Sequence, residues 1–489
     1  MVVCITSINI ERCCSILAKK DKLKVEFIGM NADNVTGSLT LIQDKGLTIL
    51  LEAGLYQSND IVGDYKVNNR NLNLNNKKID FIILGHVHAD HSMLIPRLYA
   101  EGCKARLIVP SGTKGFYKLM GIDSAYIVER DCLSLEKKYK KSFHRMYTES
   151  DVYESMKYME EYEMGKKIEL SDRLTIRFTP SGHIVNAAQI ELWVSNESKN
   201  KTSKILYTSD LGNIRIPKYY SSTFEPVEKA NIVIGECTYN DKKREVKAEA
   251  REKDIRKMKE IIKNSEGIVE IPVFTLDRCP NILTILYDLF GNDETFTTDV
   301  VVDSPLAVKM LKEYAEVLDD ESAYKLQEVL SWKNVKLISE PAHSKAYMAS
   351  AEKAVVLSAA GMLSKGRSRL WLKRIIEDSR NTVLFVGYAS ENTLAAAIKN
   401  SKGSRGKIKI DDREYRNRCK IVDLKSFTSH MQYDDLLNYY SSISADKICL
   451  VHSEQLGKLE FAKVLQETIE KRGSRARVVC VNRYTSIKL

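Results

Sequence analysis

The sequence predicts an α/β protein in which a strand-rich module is interrupted by a second module, a parallel sheet flanked by helices. The chain has 489 residues, which is more than a single ordinary core accommodates. Its first half contains short apolar runs separated by turn residues, a pattern typical of strands. After residue 241 such runs alternate with longer helical segments, and this alternation indicates a parallel sheet covered by helices.

The first half supplies its predicted strands in chain order, and they are LTLIQD, LTILLEAG, IDFIILG, LTIRFTP, AQIELWV and KILYTSD. The first two are expected to pair, and the third is expected to be buried and to lead into LGHVHADHS at 84–92. Residues 114–170 are charged and rich in tyrosine, so we expect helices at the surface there.

The second half begins with a long amphipathic helix within residues 241–265, whose apolar face carries Ile255, Met258, Ile261 and Ile262. The strand-like runs VEIPVF and VVVDS each precede a helix, which opens at Pro280 and near Pro305. Strand-like runs return at the end of the chain, around one helix. The predicted boundaries are therefore 1–241 for the first part of the strand-rich module, 242–425 for the inserted module and 426–489 for the C-terminal part of the strand-rich module.

Composition narrows the class of protein. Lys and Arg total 75 against 65 for Asp and Glu, a surplus that favours a polyanionic partner such as nucleic acid, although a well-solvated basic surface would look the same. Ten scattered cysteines without a CxxC pair indicate reduced thiols and a cytoplasmic location. No apolar run reaches 18 residues, so we expect no membrane span.

Six of the eight histidines fall at or just after predicted strand ends, and they are His86, His88, His91, His183, His430 and His452. In an extended loop, residues two apart point the same way, so His86 and His88 can hold one ion. Asp90 and His91 follow as the chain turns, and they face a second point nearby. Imidazole and carboxylate together suit Zn²⁺, and also Mn²⁺ or Fe²⁺.

Two ions need more ligands than one loop supplies. His183 follows the strand LTIRFTP and Asp210 ends the strand KILYTSD, so both can converge on the same rim. A carboxylate such as Asp210 suits a position between two cations, because each of its oxygens can serve one of them.

The order HxHxDH, then SGH, then a strand-terminal SD resembles the metallo-β-lactamase superfamily of binuclear metallohydrolases. The resemblance implies an αββα sandwich with His86, His88 and His183 on one ion, Asp90 and His91 on the other, and Asp210 between them. The sequence departs from that pattern at two positions. Glu52 replaces an aspartate outside the ligand set, and Asn186 stands where glycine is common, which could narrow the site.

The downstream motifs resemble the β-CASP nucleases, in particular the cleavage-and-polyadenylation-factor-like members. VIGECTYND, SFTSHMQYDD and CLVHSE carry Glu236, His430 and His452, and landmarks of the inserted β-CASP domain lie between them. The resemblance implies that His452 completes the second ion's ligands, that Glu236 and His430 handle a proton, and that the substrate is RNA. Gln432 replaces a common aspartate.

The segment SAAGMLSKGRSR (358–369) combines a tight turn with hydroxyl and basic side chains. It is predicted to cradle a phosphate near the cleaved bond through Ser358, Ser364, Lys365 and Arg367. A solvated turn before a helix is the alternative interpretation of the basic residues.

The sequence thus predicts a phosphodiesterase with two divalent ions, first of all Zn²⁺, that hydrolyses single-stranded RNA as an endonuclease, an exonuclease or both. A hydroxide bridging the ions would attack phosphorus, Asp90 would share in catalysis, and His430 with Glu236 would protonate the leaving group. The sequence is also compatible with a homodimer. Two alternatives stay open: a catalytically silent scaffold subunit of an RNA-processing complex, and a hydrolase of small molecules.

Overall fold

Two seven-stranded sheets face each other, and a separate six-stranded sheet forms the inserted module. The structure is a computed structural model, and it describes residues 23–488 apart from 59, 199, 217, 245, 364, 388, 390–392 and 402–405. We call the two facing sheets with their helices the outer module, and the six-stranded sheet with its helices the inserted module.

The first sheet has the order β22-β1-β2-β3-β4-β5-β6. Its strands are β1 (Lys24–Phe27), β2 (Thr40–Asp44), β3 (Leu47–Leu51), β4 (Phe81–Ile83), β5 (Arg106–Pro110), β6 (Met159–Tyr162) and β22 (Ser486–Lys488). The expected pairing of LTLIQD with LTILLEAG is confirmed, since β2 and β3 are antiparallel neighbours. From β3 to β6 the neighbouring strands are parallel, so their carboxyl ends share one edge of the sheet.

The second sheet has the order β21-β20-β11-β10-β9-β8-β7. Its strands are β7 (Lys167–Ser171), β8 (Leu174–Pro180), β9 (Ala188–Ser195), β10 (Thr202–Tyr207), β11 (Ile232–Glu236), β20 (Lys447–Val451) and β21 (Arg477–Cys480). β11 pairs in parallel with β20, although the whole inserted module separates them in sequence. The strand-rich module therefore does resume after the insertion, as the sequence predicts.

Side chains along each strand point alternately to the two faces of its sheet. One face packs against the other sheet and the opposite face packs against helices, which gives an αββα arrangement. Ile49 and Ile83 of the first sheet and Phe178 and Ile205 of the second are fully buried in one apolar cluster between the sheets. Leu50 points the other way and packs beneath the helices that cover the first sheet. The helices of the outer module are α1 (Ile61–Asn68), α2 (Ala89–Ser92), α3 (Ile95–Ala100), α4 (Lys114–Tyr139), α5 (Glu149–Met156), α13 (Tyr433–Ser442) and α14 (Gln455–Lys471).

The inserted module is a parallel sheet with the order β14-β13-β15-β12-β16-β19. Its strands are β12 (Ile268–Pro272), β13 (Asp299–Asp303), β14 (Val335–Ile338), β15 (Ala354–Ser358), β16 (Thr382–Phe385) and β19 (Lys420–Asp423), and β17 (Lys407–Ile410) and β18 (Arg413–Arg416) form a separate hairpin. Its helices are α6 (Ala248–Lys263), α7 (Arg278–Phe290), α8 (Pro305–Val317), α9 (Asp320–Ser331), α10 (Pro341–Ser350), α11 (Gly366–Ile375) and α12 (Leu394–Asn400). The predicted α/β class with an inserted parallel sheet is confirmed.

The first residues of two helices can be compared with the starts predicted from the sequence. α8 begins at Pro305, as predicted, and the Ser304 hydroxyl accepts a hydrogen bond from the Ala307 amide at its first turn. α6 begins at Ala248, so the expected helix is shorter at its start than the charged run suggests, but Met258 and Ile262 are buried as expected.

The prediction for residues 114–170 is wrong in part. α4 and α5 account for its first portion, but Met159–Tyr162 form β6, the edge strand of the first sheet, and Lys167–Ser171 form β7. An edge strand has one neighbour, and the side chains of β6 are half-buried or exposed on both faces. The alternation that identifies a strand is therefore missing from MEEY.

Candidate metal centre

The predicted metal ligands lie on loops at the carboxyl ends of strands in both facing sheets. The loop after β4 carries His86, His88, Asp90 and His91, and His183, Asp210 and His452 follow β8, β10 and β20. Because the two sheets pack face to face, these loops meet at one rim. The structure places its possible metal-binding side chains in three groups, two of which together contain all seven predicted ligands, while the third joins Glu52 to His86 and His91.

The first group consists of His86, His88, His183 and Asp210, whose ligand atoms lie within 4.8 Å of one another. Nδ1 of His88 is 3.1 Å from Nε2 of His86 and 3.3 Å from Nε2 of His183. Oδ2 of Asp210 is 3.7 Å from Nε2 of His86 and 3.5 Å from Nε2 of His183. Four donors around one Zn²⁺ at bond lengths of roughly 2.0–2.1 Å stand about 3.3 Å apart, so this group has the spacing of a tetrahedral cation site.

The second group consists of Asp90, His91 and His452. Nε2 of His91 is 3.3 Å from Nε2 of His452, and both nitrogens are 3.4 Å from Oδ2 of Asp90. The other oxygen of Asp210, Oδ1, faces this group at 3.4 Å from His91 and 3.7 Å from His452. Asp210 thus stands between the groups and turns one oxygen to each.

Glu52 lies behind the rings and not among the donors that converge on Asp210. Its Oε2 is 2.6 Å from Nδ1 of His91 and accepts a hydrogen bond from the Tyr207 hydroxyl, while its Oε1 accepts one from Ser209 Oγ. Ser209 Oγ is also 3.0 Å from Nδ1 of His86. Hydrogen bonds to Nδ1 fix the ring orientation and leave Nε2 to face a cation.

Sequence reasoning missed one residue that holds His452. Thr238 Oγ1 lies 2.8 Å from Nδ1 of this ring, which again leaves Nε2 directed into the second group. Thr238 comes two residues after Glu236, but no local pattern in the sequence indicates its contact with a residue 214 positions away. The amide of His452 also donates to the carbonyl of Asn31, which ties the β20 end to the first sheet.

Five non-glycine residues around the rim adopt positive φ angles, and they are Glu52, Asn186, Ser209, Asp277 and His452. Such conformations cost free energy and concentrate where a fold aims side chains at a site. Asn186, at φ 55°, explains why glycine is common at its position. Its side chain lies against Gly112, at the start of α4, because a Cβ on Gly112 would stand 2.5 Å from the amide nitrogen of Asn186.

The electrostatics of the first group favour a cation. Burial holds the pKa of His86 and the pKa of His183 well below that of free histidine, so both rings are neutral and carry a lone pair. Burial alone would raise the pKa of Asp210, but the positive charges of protonated His452 and His91 outweigh it and hold that pKa well below its ordinary value. Metal binding requires neutral imidazoles and an ionised carboxylate, which the first group supplies. Against the effect of burial, nearby carboxylates, Asp210 first, raise the pKa of His91 and of His452, so these two rings must each lose a proton when a cation binds.

The donor set therefore fits divalent metal ions. Oδ1 of Asp210 is buried and has no hydrogen-bond partner among the residues that the structure describes. A buried carboxylate oxygen without a partner is costly, and a cation held by His91, His452 and Asp90 would compensate it. Zn²⁺ prefers this mixture of imidazole nitrogen and carboxylate oxygen.

Glu236 and His430 meet beside the first group. Nδ1 of His430 is 3.3 Å from Oε1 of Glu236, and Nε2 of His430 is 4.0 Å from Oδ2 of Asp210. The Glu236 carboxylate is buried and accepts hydrogen bonds from the amides of Leu211 and Thr238. The His430 ring is half-buried, so the pair is fixed on one side and open to a substrate on the other.

Gln432, the departure from the expected aspartate, supports the backbone of His430. Its Nε2 donates to the carbonyl of His430 at 3.1 Å, and its Oε1 accepts from the amide of Val246 at 2.9 Å. The neutral side chain thus holds the loop through two hydrogen bonds between its amide atoms and backbone groups.

Ser358 and Arg367, two residues of the predicted phosphate cradle, make their contacts inside the inserted module. Ser358 is fully buried and donates to Glu270, and Arg367 donates to Asp303 and to the carbonyl of Ile338. These two side chains are occupied within the inserted module, so they are not presented to a substrate. Lys365 pairs with Asp131 of α4 at 2.5 Å. Ser364 lies outside the described residues.

Two family models match the chain. The Beta-Casp domain matches residues 280–398, and the Zn-dependent metallo-hydrolase RNA specificity domain matches residues 414–479. The first falls within the inserted module, and the second covers the return to the outer module. The chain therefore contains a Beta-Casp domain followed by the RNA specificity domain of a Zn-dependent metallo-hydrolase. The prediction of the family is confirmed, and with it the prediction of a metal-dependent hydrolase.

Curated relatives match most of the length of this chain. Ribonuclease TTHA0252 of Thermus thermophilus is 26% identical over 443 residues, which are 89% of this chain and 94% of the relative. Endoribonuclease YSH1 of Eremothecium gossypii is 24% identical over 91% of this chain, which spans 57% of that relative's length. The RNase J-like protein of Methanocaldococcus jannaschii is 25% identical over 81% of this chain and 87% of the relative.

A solved structure shares the fold. The crystal structure of a protein of unknown function from Enterococcus faecalis V583 superposes with a TM-score of 0.51 at 12% identity, and the match covers 96% of this chain and 100% of that chain. Across the part of the chain that the structure describes, no helix is both long and apolar enough to cross a membrane. The cytoplasmic location, the homodimer and the domain boundaries at 241/242 and 425/426 remain predictions.

Proposed function

We propose that the protein hydrolyses phosphodiester bonds of single-stranded RNA at a centre that holds two divalent cations, with Zn²⁺ as the first candidate. One observation carries the proposal: Asp210 turns one carboxylate oxygen to each of two donor groups, directly beside the Glu236–His430 pair. A cation pair beside a carboxylate-supported histidine suits a reaction that needs both charge neutralisation and a proton.

The substrate class rests on the relatives. Three of them carry names that denote ribonucleases, and the matched domain over residues 414–479 is described as an RNA specificity domain. The surplus of ten positive charges suits a polyanion such as RNA. The names include an endoribonuclease, so we propose internal cleavage, with trimming from an end as the second mode.

Two sets of ligands would hold the cations. His86, His88 and His183 with Oδ2 of Asp210 form the first set, and Asp90, His91 and His452 with Oδ1 of Asp210 form the second. When bound, two divalent cations supply a water-derived nucleophile at neutral pH and neutralise the charge that develops on the phosphate. Glu52, Ser209 and Thr238 orient the rings through Nδ1 and so set where each Nε2 points.

His430 would deliver the proton. Attack of water oxygen on phosphorus breaks the bond to the 3′ oxygen, and that oxygen leaves with a proton from the imidazole. The chain then ends in a 3′-hydroxyl, and the other fragment carries a 5′-phosphate. Glu236 faces Nδ1 of His430 at 3.3 Å, so Nε2 is the nitrogen turned towards the cleft and the proton donor.

The test compares Asp210→Asn with the wild-type protein on end-labelled single-stranded RNA in the presence of Zn²⁺ or Mn²⁺. We expect loss of cleavage together with loss of bound metal, measured by elemental analysis, because one carboxylate serves both groups. The matched control is Asp320→Asn, which changes an exposed carboxylate on α9 and should leave both readouts unchanged.

Three outcomes would count against the proposal. RNA cleavage that survives in Asp210→Asn would place the reaction elsewhere. Turnover of a lactone or thioester by the wild-type protein without any cleavage of RNA would assign a hydrolase of small molecules. RNA binding without hydrolysis of either substrate class by the metal-loaded protein would assign the silent scaffold.

A further inference from the structure

A small cavity lies where the two modules meet, beside the loop that carries His430. The loop after Asp210 forms one wall, helices α6 and α7 of the inserted module form two others, and the segment that precedes His430 closes it. Its volume is about 20 Å³, which is room for one water-sized group. The charged side chains that line it are Lys218, Arg251, Asp277 and Arg278, and we call it the cationic cleft.

Positive charge dominates the cationic cleft, with three cations and one carboxylate on its walls. Burial, together with the neighbouring guanidinium of Arg278, lowers the pKa of Arg251 to about 10. The pKa of Arg278 is also lowered by burial, although the carboxylate of Asp277 opposes this. Desolvated like charges repel one another, so an anion in the cleft would relieve an unfavourable arrangement.

The hydrogen bonds in the cleft leave a donor for that anion. Lys218 Nζ donates to the carbonyl of Gly182 at 2.7 Å and to that of Ser429 at 3.2 Å, and it also donates to the carbonyl of His183. Asp277 accepts from the Ser429 hydroxyl at 2.5 Å. Arg278 donates one terminal N–H to Ser429 Oγ, but its Nε is buried and has no partner among the residues that the structure describes.

The cleft adjoins the proposed active site. Ser429, which contacts three of the four charged side chains, is the residue before His430. Lys218 contacts the carbonyl of His183, a predicted metal ligand. An anion held in the cleft would therefore sit next to the segment from which His430 acts.

We propose that the cationic cleft binds a phosphate of the RNA backbone next to the bond that is cleaved. This inference rests on the proposed function and adds to it a binding subsite. The volume of about 20 Å³ admits a single phosphate oxygen at a wall to which Arg251 and Arg278 both contribute, while the rest of the phosphate stays outside. Guanidinium groups suit this role because their planar array of N–H donors matches phosphate oxygens.

The test measures the affinity of a fluorescent single-stranded RNA by anisotropy at several salt concentrations, with His430→Gln in every protein so that the probe stays intact. Arg251→Gln removes a charge from the cleft. Arg256→Gln is the matched control, because Arg256 lies on the same helix α6 and is 69% exposed. One lost phosphate contact should weaken binding about 10-fold and reduce the slope of log affinity against log salt by about 0.7, the value for single strands.

A second measurement is independent of RNA. Inorganic phosphate should raise the melting temperature of the wild-type protein and of Arg256→Gln more than that of Arg251→Gln. Any phosphate that binds elsewhere contributes equally to all three proteins, so the difference reports on the cleft.

The outcomes separate the subsite from the proposed function. Equal affinity and equal salt slope in Arg251→Gln and Arg256→Gln, with RNA bound by both, would overturn the subsite and leave the proposed function intact. A phosphate effect that depends on Arg251 in a protein that does not bind RNA would support the anion site and overturn the proposed function. A phosphate effect of the same size in all three proteins would also overturn the subsite.

Discussion

Oε2 of Glu52 lies 2.6 Å from Nδ1 of His91, and the same oxygen accepts a hydrogen bond from the Tyr207 hydroxyl. A carboxylate in this position holds a proton on Nδ1 of His91. Nε2, which faces Asp210, is then the nitrogen that can bind a metal ion. The longer side chain of Glu52, in place of the family's aspartate, therefore keeps the role of an orienting group, and it reaches two partners with one oxygen.

We predict that Glu52→Gln lowers the affinity of the second group for its cation about 10- to 100-fold, the usual effect of removing an orienting carboxylate. The amide has one acceptor oxygen, which cannot serve the donors on both Oε1 and Oε2, namely His91, Tyr207 and Ser209. Competition with a chelator measures the affinity. Glu169→Gln, at an exposed position on β7, serves as the control, and equal affinities in the two variants would contradict the orienting role.

We predict that His430→Gln retains both metal ions and slows RNA cleavage roughly 100-fold or more, the usual range for a general acid. The His430 ring contacts Glu236 and lies 4.0 Å from Asp210, outside the two donor groups, so its loss removes a proton donor and leaves the ligands in place. Elemental analysis and initial rates on end-labelled RNA test the two halves of the prediction separately.

The control for that substitution is His343→Gln, because His343 is exposed on α10 and should change neither metal content nor rate. Loss of metal from His430→Gln would show that this histidine is a ligand, and an unchanged rate would show that the leaving group takes its proton from elsewhere.

We predict that Glu270→Gln stabilises the protein at neutral pH and reduces the dependence of its stability on pH. Burial in the inserted module raises the pKa of Glu270 well above its ordinary value, although a hydrogen bond from Ser358 opposes this. The folded state then binds the proton more tightly than the unfolded state. Stability is full below the unfolded pKa of about 4.5 and declines as the pH rises towards the folded pKa.

Glutamine cannot ionise, so the free energy of unfolding of Glu270→Gln should exceed that of the wild-type protein near neutral pH, and the two should converge in acid. Urea unfolding at a series of pH values measures the difference. Glu252→Gln, whose side chain is 77% exposed on α6, should follow the wild-type curve. A parallel offset of Glu270→Gln at every pH would contradict the prediction.

Most of the metal ligands could be predicted from the sequence, because several of them lie close together in the chain. His86, His88 and His91 occupy one loop, and periodicity placed His183 and Asp210 at strand ends. The supporting contacts were not predictable in this way. Thr238 and Tyr207 act through partners more than 150 residues away, at separations of 214 and 155 residues, and no local pattern reports such a contact.

The predicted phosphate cradle shows that a sequence motif can also suggest a binding site whose residues the folded chain uses for other contacts. Hydroxyl and basic side chains around a tight turn suggest a ligand, but Ser358 and Arg367 are used within the inserted module. Burial decides this, and a sequence motif does not report how deeply a turn is buried. The cationic cleft was missed for a similar reason, since Lys218, Arg251 and Arg278 stand in three separate segments and form a cluster only when the modules meet.

The second donor group joins residues that the ribosome makes far apart in time. His91 and His452 are separated by 361 residues, and β20, which leads into His452, can pair with β11 only after the whole inserted module has been synthesised. Contacts of such long range slow folding, because the loop between the two residues must be closed before they can form. With the proposed activity, a chain still short of residue 452 lacks one member of the second donor group, so this group is completed only after the whole inserted module has been synthesised.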